Sequence, residues 1–238
     1  MPMRFSLCSK QSPALLPPPI DKMKPPTPWG ESLSPSLPSI GNREVAVGSR
    51  TKIINIQQSP LKHHAIFFID IETTNFEPSP EGRIIEIACV EMKDGKLTGR
   101  EFYQLLNPEH SIPDFIVELI EIDDEMVAGR PTFYDIYPDL LDFIGDGKLV
   151  GHRADFDREF IDYEISLIGL DSPHLVDPES WIDTLACFKE RHPEKRYTLD
   201  AVCEMYGVDI TNHKTSLANT LQEARKLAAF WQKFCNAQ

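Results

Sequence analysis

The chain contains no run of 18 apolar residues, which argues against a membrane-spanning helix. It holds only five cysteines in 238 residues: Cys8, Cys89, Cys187, Cys203 and Cys235. Their number is odd, and no two form a Cys-x-x-Cys pair. That pattern argues against a disulfide framework or a zinc site and reads as free thiols in a reducing compartment. A secretory leader is also missing, because Ala14-Leu15-Leu16 runs straight into Pro17-Pro18-Pro19. Positive charge is scarce: the formal net charge is −13, unlike a basic wrapper of duplex nucleic acid. No internal repeat is present. These absences point to a cytoplasmic globular protein. The basic stretch Met1 to Lys24 leaves organelle import open, with Arg4, Lys10, Lys22 and Lys24 against Asp21 alone.

What is present divides near residue 60. Residues 1–60 hold eleven of the 20 prolines and carry a charge of +4, so the remainder carries −17. A stretch this rich in proline buries too little apolar surface to fold alone and is expected to be a disordered arm. Residues 61–238 read as one folded domain. Strands are expected over Ala65–Thr73, Arg83–Met92 and Arg100–Leu106, the first three forming an antiparallel meander with a turn at Lys93-Asp94-Gly95-Lys96. A fourth strand is expected over Lys148–His152. Helices are expected from Pro131 to Phe143 with proline in the first turn, over Ala154–Leu170, over Thr198–Tyr206 closed by Gly207, and over Thr215–Phe234. Strands first and helices later suggest a mixed α/β sheet flanked by helices.

Chemistry enters with Phe67-Phe68-Ile69-Asp70-Ile71-Glu72-Thr73-Thr74. A strand buried on both faces should be continuously apolar. Asp70 and Glu72 interrupt it, and strand alternation turns both to one face. Paired carboxylates repel and resist desolvation unless a cation compensates them, and a hard divalent ion does so most simply. Leu149-Val150-Gly151-His152-Arg153-Ala154-Asp155-Phe156-Asp157 offers a third acid at a helix start. Asp155 there reads as an acid favoured by the helix dipole. Spacing alone leaves Asp157 open.

These two segments, with Phe160-Ile161-Asp162-Tyr163-Glu164 after the second, resemble the DEDD family of 3′→5′ exonucleases and most closely its proofreading branch, the epsilon subunits of bacterial DNA polymerase III. Arg83-Ile84-Ile85-Glu86-Ile87, Leu106-Asn107-Pro108-Glu109, Ile182-Asp183-Thr184-Leu185-Ala186 and Tyr197-Thr198-Leu199-Asp200-Ala201-Val202-Cys203 support the match over about residues 64–236. The resemblance implies a ribonuclease H-like fold with a five-stranded mixed sheet. It implies Asp70, Glu72 and Asp157 as ligands of two Mg²⁺ or Mn²⁺ ions, and His213 as general base on the attacking water. Ile71, Thr73, Thr74 and Phe156, inside the matched motifs, are the implied substrate contacts. Implied partners are single-stranded DNA or RNA 3′ ends and a DNA polymerase, with no membrane.

Two departures stand against a fully armed enzyme. Where the family has a fourth metal-binding Asp, five residues after the base, this chain has Ala218. The next acid, Glu223, is five residues further, about 140° around a helix, and is expected to face elsewhere. Asn219 offers a neutral oxygen on an adjacent face. A weakened hold on one of the two ions follows. The His-Gly-Ile turn of the proofreading branch is replaced by Leu119-Ile120-Glu121-Ile122-Asp123, with Ile120 and Glu121 in the His and Gly positions. The alternative reading is a catalytically silent domain that binds nucleic-acid ends or a protein partner. The chain also stops at Gln238, short of the long tail by which proofreading members hold their polymerase.

Overall fold

The computed structural model describes residues 65–170, 172–209 and 219–237; the proline-rich arm over 1–60 lies outside them. Five strands form one sheet: β1 (Ile66–Thr73), β2 (Ile84–Lys93), β3 (Lys96–Leu105), β4 (Lys148–Gly151) and β5 (Trp181–Asp183), in the order β3-β2-β1-β4-β5. The first three are an antiparallel meander, whereas β4 runs parallel to β1 and β5 parallel to β4. The sheet is therefore mixed, as the motifs implied. β3 begins at Lys96, four residues before the expected start, because the tight Asp94-Gly95 turn, with both residues at positive φ, lets pairing resume at once.

The sheet sorts the β1 side chains. Phe67, Ile69 and Ile71 pack with Ile136 and Leu140 of α3 (Phe133–Ile144) and Phe160 and Ile161 of α4 (Ala154–Leu167). Ile66 and Phe68 face the other way, into a cluster with Val202 and Cys203 of α7 (Leu199–Met205) and Leu227, Phe230 and Trp231 of α8 (Asn219–Asn236). Asp70 and Glu72 continue the Ile66-Phe68 row and so turn toward α8. Smaller helices fill the edges: α1 (Asp114–Ile120), α2 (Asp124–Val127), α5 (Pro173–Val176) and α6 (Thr184–Arg191).

Pro131 does not open α3. Thr132 is the N-cap, and the Asp135 carboxylate accepts both its N–H (2.8 Å) and its hydroxyl (2.9 Å), while the Pro131 carbonyl accepts the Asn107 N–H. The capping pair sets the start more strongly than proline does. α4 ends at Leu167, three residues short of Leu170, where Gly169 takes a positive φ. The first residues of the expected Thr215–Phe234 helix lie outside the described residues. Among the described residues no helix is long and apolar enough to cross a membrane.

One ion pair ties the start of β2 to α4. Glu164 of α4, 1% exposed, accepts Nε and Nη2 of Arg83 at 2.9 and 2.8 Å and the Ile84 N–H at 3.0 Å. Bidentate geometry and a third donor satisfy the buried carboxylate. Replacing Arg83 by Met leaves Glu164 buried and uncompensated. Denaturant unfolding of Arg83→Met should show a loss of about 3–5 kcal/mol, and a change below 1 kcal/mol would refute that account.

Candidate active site

Burial along β1 marks the site. Ile66 to Ile69, Ile71 and Thr73 are buried, and only Asp70 and Glu72 are partly exposed. The strand opens where it carries its two acids. β4 lies beside β1 and ends at Gly151, after which the chain turns into α4 through Arg153, held at φ 82. A Cβ on Gly151 would stand 2.9 Å from Cα of Ala154 and 3.0 Å from Oδ2 of Asp157, so only glycine lets the first turn of α4 approach this closely. Asp183, at the end of β5, accepts N–H groups from Arg153 (3.1 Å) and Leu185 (3.0 Å) and pins that turn.

The two acids of α4 separate cleanly. The Asp155 side chain is 82% exposed and pairs with Arg158, whereas Asp157 is 5% exposed. Burial raises the Asp157 carboxyl well above the usual range, and the charges of Asp183 and Glu72 push the same way. Asp70 is raised likewise, first by burial, then by Asp157 and Glu72. Glu72 is pushed up to about 7, chiefly by burial, although a hydrogen bond from Asn219 opposes the shift. Asp70, Glu72 and Asp157 are thus brought within electrostatic reach of one another. Among the described residues no lysine or arginine forms an ion pair with any of them.

The opposite wall is the first turn of α8. Asn219 Nδ2 donates to Glu72 Oε1 at 2.9 Å. Glu86, opposite Glu72 across β1 and β2 and 1% exposed, accepts the Tyr103 hydroxyl (2.7 Å) and the Thr220 N–H (3.2 Å). Two neighbouring acids therefore grip two successive residues of α8. The Glu223 carboxylate accepts a hydrogen bond from Lys226 Nζ. Its charge raises both Asp70 and Glu72. Asn219 is in contact with Glu72, and Glu223 lies one turn beyond it. His213 and Ala218 lie outside the described residues.

The other motif residues are dispersed. Ile71 points into the core on the face away from the carboxylates. The Thr73 hydroxyl donates to the Asn75 carbonyl, and the Thr74 hydroxyl donates to the Glu81 carbonyl and accepts the Arg83 N–H. Both threonines are buried and hold the turn that leaves β1. Phe156 is half-buried against Phe160, with the Arg153 guanidinium 5.6 Å from its ring centre. That turn presents a feature the motifs did not reveal: Phe76, 62% exposed, lies 6.0 Å from Phe115, 49% exposed, with Leu119 exposed one turn along α1. Spacing could not find this pair, because 39 positions separate the two rings in sequence. In the Ile120-Glu121 turn, Glu121 takes the left-handed conformation (φ 59, ψ 25) and its N–H caps Val117. The turn survives without a glycine.

The donor set suits a hard divalent cation: carboxylate oxygens only, one on the buried Asp157 and two on the partly exposed Asp70 and Glu72. Among the described residues no three such side chains form a ready-made ligand cluster, so closure around an ion requires the carboxylates to converge. Raised acid groups also fix a pH signature. Between about 4.5 and 7 the unfolded chain releases the Glu72 proton while the folded chain keeps it, so stability falls as pH rises through that window. With chelator present, the melting temperature should drop across it, and Glu72→Gln should flatten the drop. A melting temperature that climbs steadily from pH 4.5 to 7 in both proteins would contradict the assignment.

Known proteins match this arrangement. The exonuclease (RNase_T) family matches residues 67–216. DNA polymerase III subunit epsilon of Rickettsia felis is 37% identical over 160 residues, 67% of this chain and 69% of that protein. The same subunit from Escherichia coli K12 is 34% identical over 174 residues, 71% of each. Among solved structures, exonuclease X in complex with 5′-overhanging duplex DNA aligns at a TM-score of 0.57 with 24% identity, covering 73% of this chain and 92% of that one. The nuclease domain of 3′hExo, a DEDDh member bound to rAMP, aligns at 0.60 with 20% identity and the same coverages. With the family pattern spanning both acid-bearing motifs and relatives above one-third identity, the chain belongs to the exonuclease family, as a domain of the DNA polymerase III epsilon type.

Proposed function

We propose that this chain is a divalent-cation-dependent 3′→5′ exonuclease that removes nucleoside monophosphates from single-stranded or frayed 3′ ends. The observation that carries the reading is the mutual electrostatic reach of Asp70, Glu72 and Asp157 at the open end of β1, where no lysine or arginine among the described residues pairs with them. Asp70, Glu72 and Asp157 are the residues that would hold Mg²⁺ or Mn²⁺. A bound ion would supply Lewis acidity at the scissile phosphodiester and charge neutralisation for the leaving oxygen. The protein's own part is geometric. Glu86 and Asn219 fix α8 against the acids, Asp183 and Gly151 fix α4, and His213 takes a proton from the attacking water.

The exposed Phe76–Phe115 pair favours a single-stranded substrate. It lies four residues beyond Glu72 and offers two ring faces to unstacked bases, which stack on such platforms at about 1–3 kcal/mol per base. Solved relatives in the same fold hold duplex DNA with an overhang in one case and rAMP in another, so both sugars fit the reading. The epsilon relatives are polymerase subunits, which makes a DNA polymerase the proposed protein partner.

A 3′-labelled single strand should lose its terminal nucleotide with Mn²⁺ or Mg²⁺, and Asp70→Ala should abolish the loss. Ala218→Asp should raise the rate at least tenfold under the incomplete-site reading. Retained strand binding with no cleavage at high protein would instead establish the silent domain. For the platform, Phe76→Ala combined with Phe115→Ala should raise KM about tenfold or more with kcat little changed. An unchanged KM removes the stacking role.

A further inference from the structure

The missing fourth acid has a candidate one helical turn beyond Asn219. On an α-helix, residues four apart share a face. The hydrogen bond from Asn219 to Glu72 (2.9 Å) fixes which side of α8 meets the site. Glu223, four residues on, therefore stands on that side. Its charge acts on Asp70 and Glu72, and on His152, which follows β4.

Glu223 is also engaged by a buried cation. Lys226 Nζ lies 2.5 Å from Glu223 Oε1 and 2.7 Å from Asp200 Oδ1, and the Lys226 side chain is only 3% exposed. A buried ammonium of this kind holds its charge only while carboxylates accompany it. Asp200, on α7, keeps that role if Glu223 swings away. The pair is thus a stored carboxylate whose counter-charge survives its departure.

We propose that Glu223 supplies the fourth carboxylate of the cation site in this chain, exchanging its contact with Lys226 for the divalent ion. This rests on the exonuclease reading above and deepens it. The site then has its full count of acids, and ion binding competes with an internal lysine. Loading of the weaker ion is reduced rather than lost.

The competition gives opposite signs for two substitutions. Mn²⁺ binding to the full chain, followed by the spin-resonance signal of free Mn²⁺, is the measurement. Glu223→Gln should weaken the lower-affinity ion by roughly tenfold. Lys226→Met, which removes the competitor, should strengthen it by a similar factor. In an Ala218→Asp background, Glu223→Gln should lose its effect, and this comparison carries the test if Lys226→Met fails to fold. Equal weakening by both single substitutions, or an isotherm indifferent to Glu223→Gln, overturns the proposal. Absence of Mn²⁺ binding by the natural chain, or indifference to Asp70→Ala, overturns the cation site itself and is read separately.

Discussion

The structure is organised around an electrostatic cost: carboxylates brought together at the end of a buried strand. Asp70 and Glu72 leave the apolar row begun by Ile66 and Phe68 and meet Asp157 from α4 and Glu86 from β2. Burial raises Asp70, Glu72 and Asp157, and the charges around them raise them further. Such a cluster pushes itself apart unless the frame is stiff. Stiffness comes from elements with no chemical part in the reaction. The Arg83–Glu164 pair joins β2 to α4, Gly151 allows α4 to close in, Asp183 anchors its entry, and the β1–β2–β3 meander fixes the register that sets Glu72 opposite Glu86. Stability without a cation and readiness for one are therefore opposed in the same few residues.

Much of this was legible in the sequence, and the reasons differ by element. The meander was readable because alternation and a Gly-bearing turn are local signals. Asp70 and Glu72 were readable because acids are costly in a buried strand whatever surrounds them. Asp155 and Asp157 were not separable by spacing, since both sit in the first turn of one helix. Burial separates them, and burial is a property of the assembled sheet. β5, three residues long, carries too little periodicity to be seen, yet its Asp183 pins the turn before α4. The Phe76–Phe115 contact joins a loop to a short helix and has no sequence signature.

The two departures from the family pattern look different in three dimensions. Glu121 stands where a glycine is expected, yet it adopts the left-handed conformation that glycine would take. An L-residue there costs on the order of 1–2 kcal/mol, so the surrounding contacts impose the turn on an unfavourable residue. What the change removes is the neighbouring imidazole, now Ile120, and not the backbone course. Ala218 differs in kind. It deletes a carboxylate, and no backbone adjustment replaces a charge. The compensation must come from another side chain, and the helical period of α8 puts Glu223 on the same side as Asn219, which meets Glu72.

Charge at long range bears on the substrate. A domain carrying −17 repels a polyphosphate at a distance, so its productive contacts must be short-ranged and few. That constraint disfavours grip along a duplex and favours capture of one end, where stacking on exposed rings adds attraction that phosphate charge does not oppose. Divalent cations held by Asp70, Glu72 and Asp157, under the proposed function, would lower the local negative potential at the β1 terminus. Under the exonuclease reading, a strand end would meet that positive charge and the exposed Phe76–Phe115 rings, a combination that favours ends over the length of a duplex.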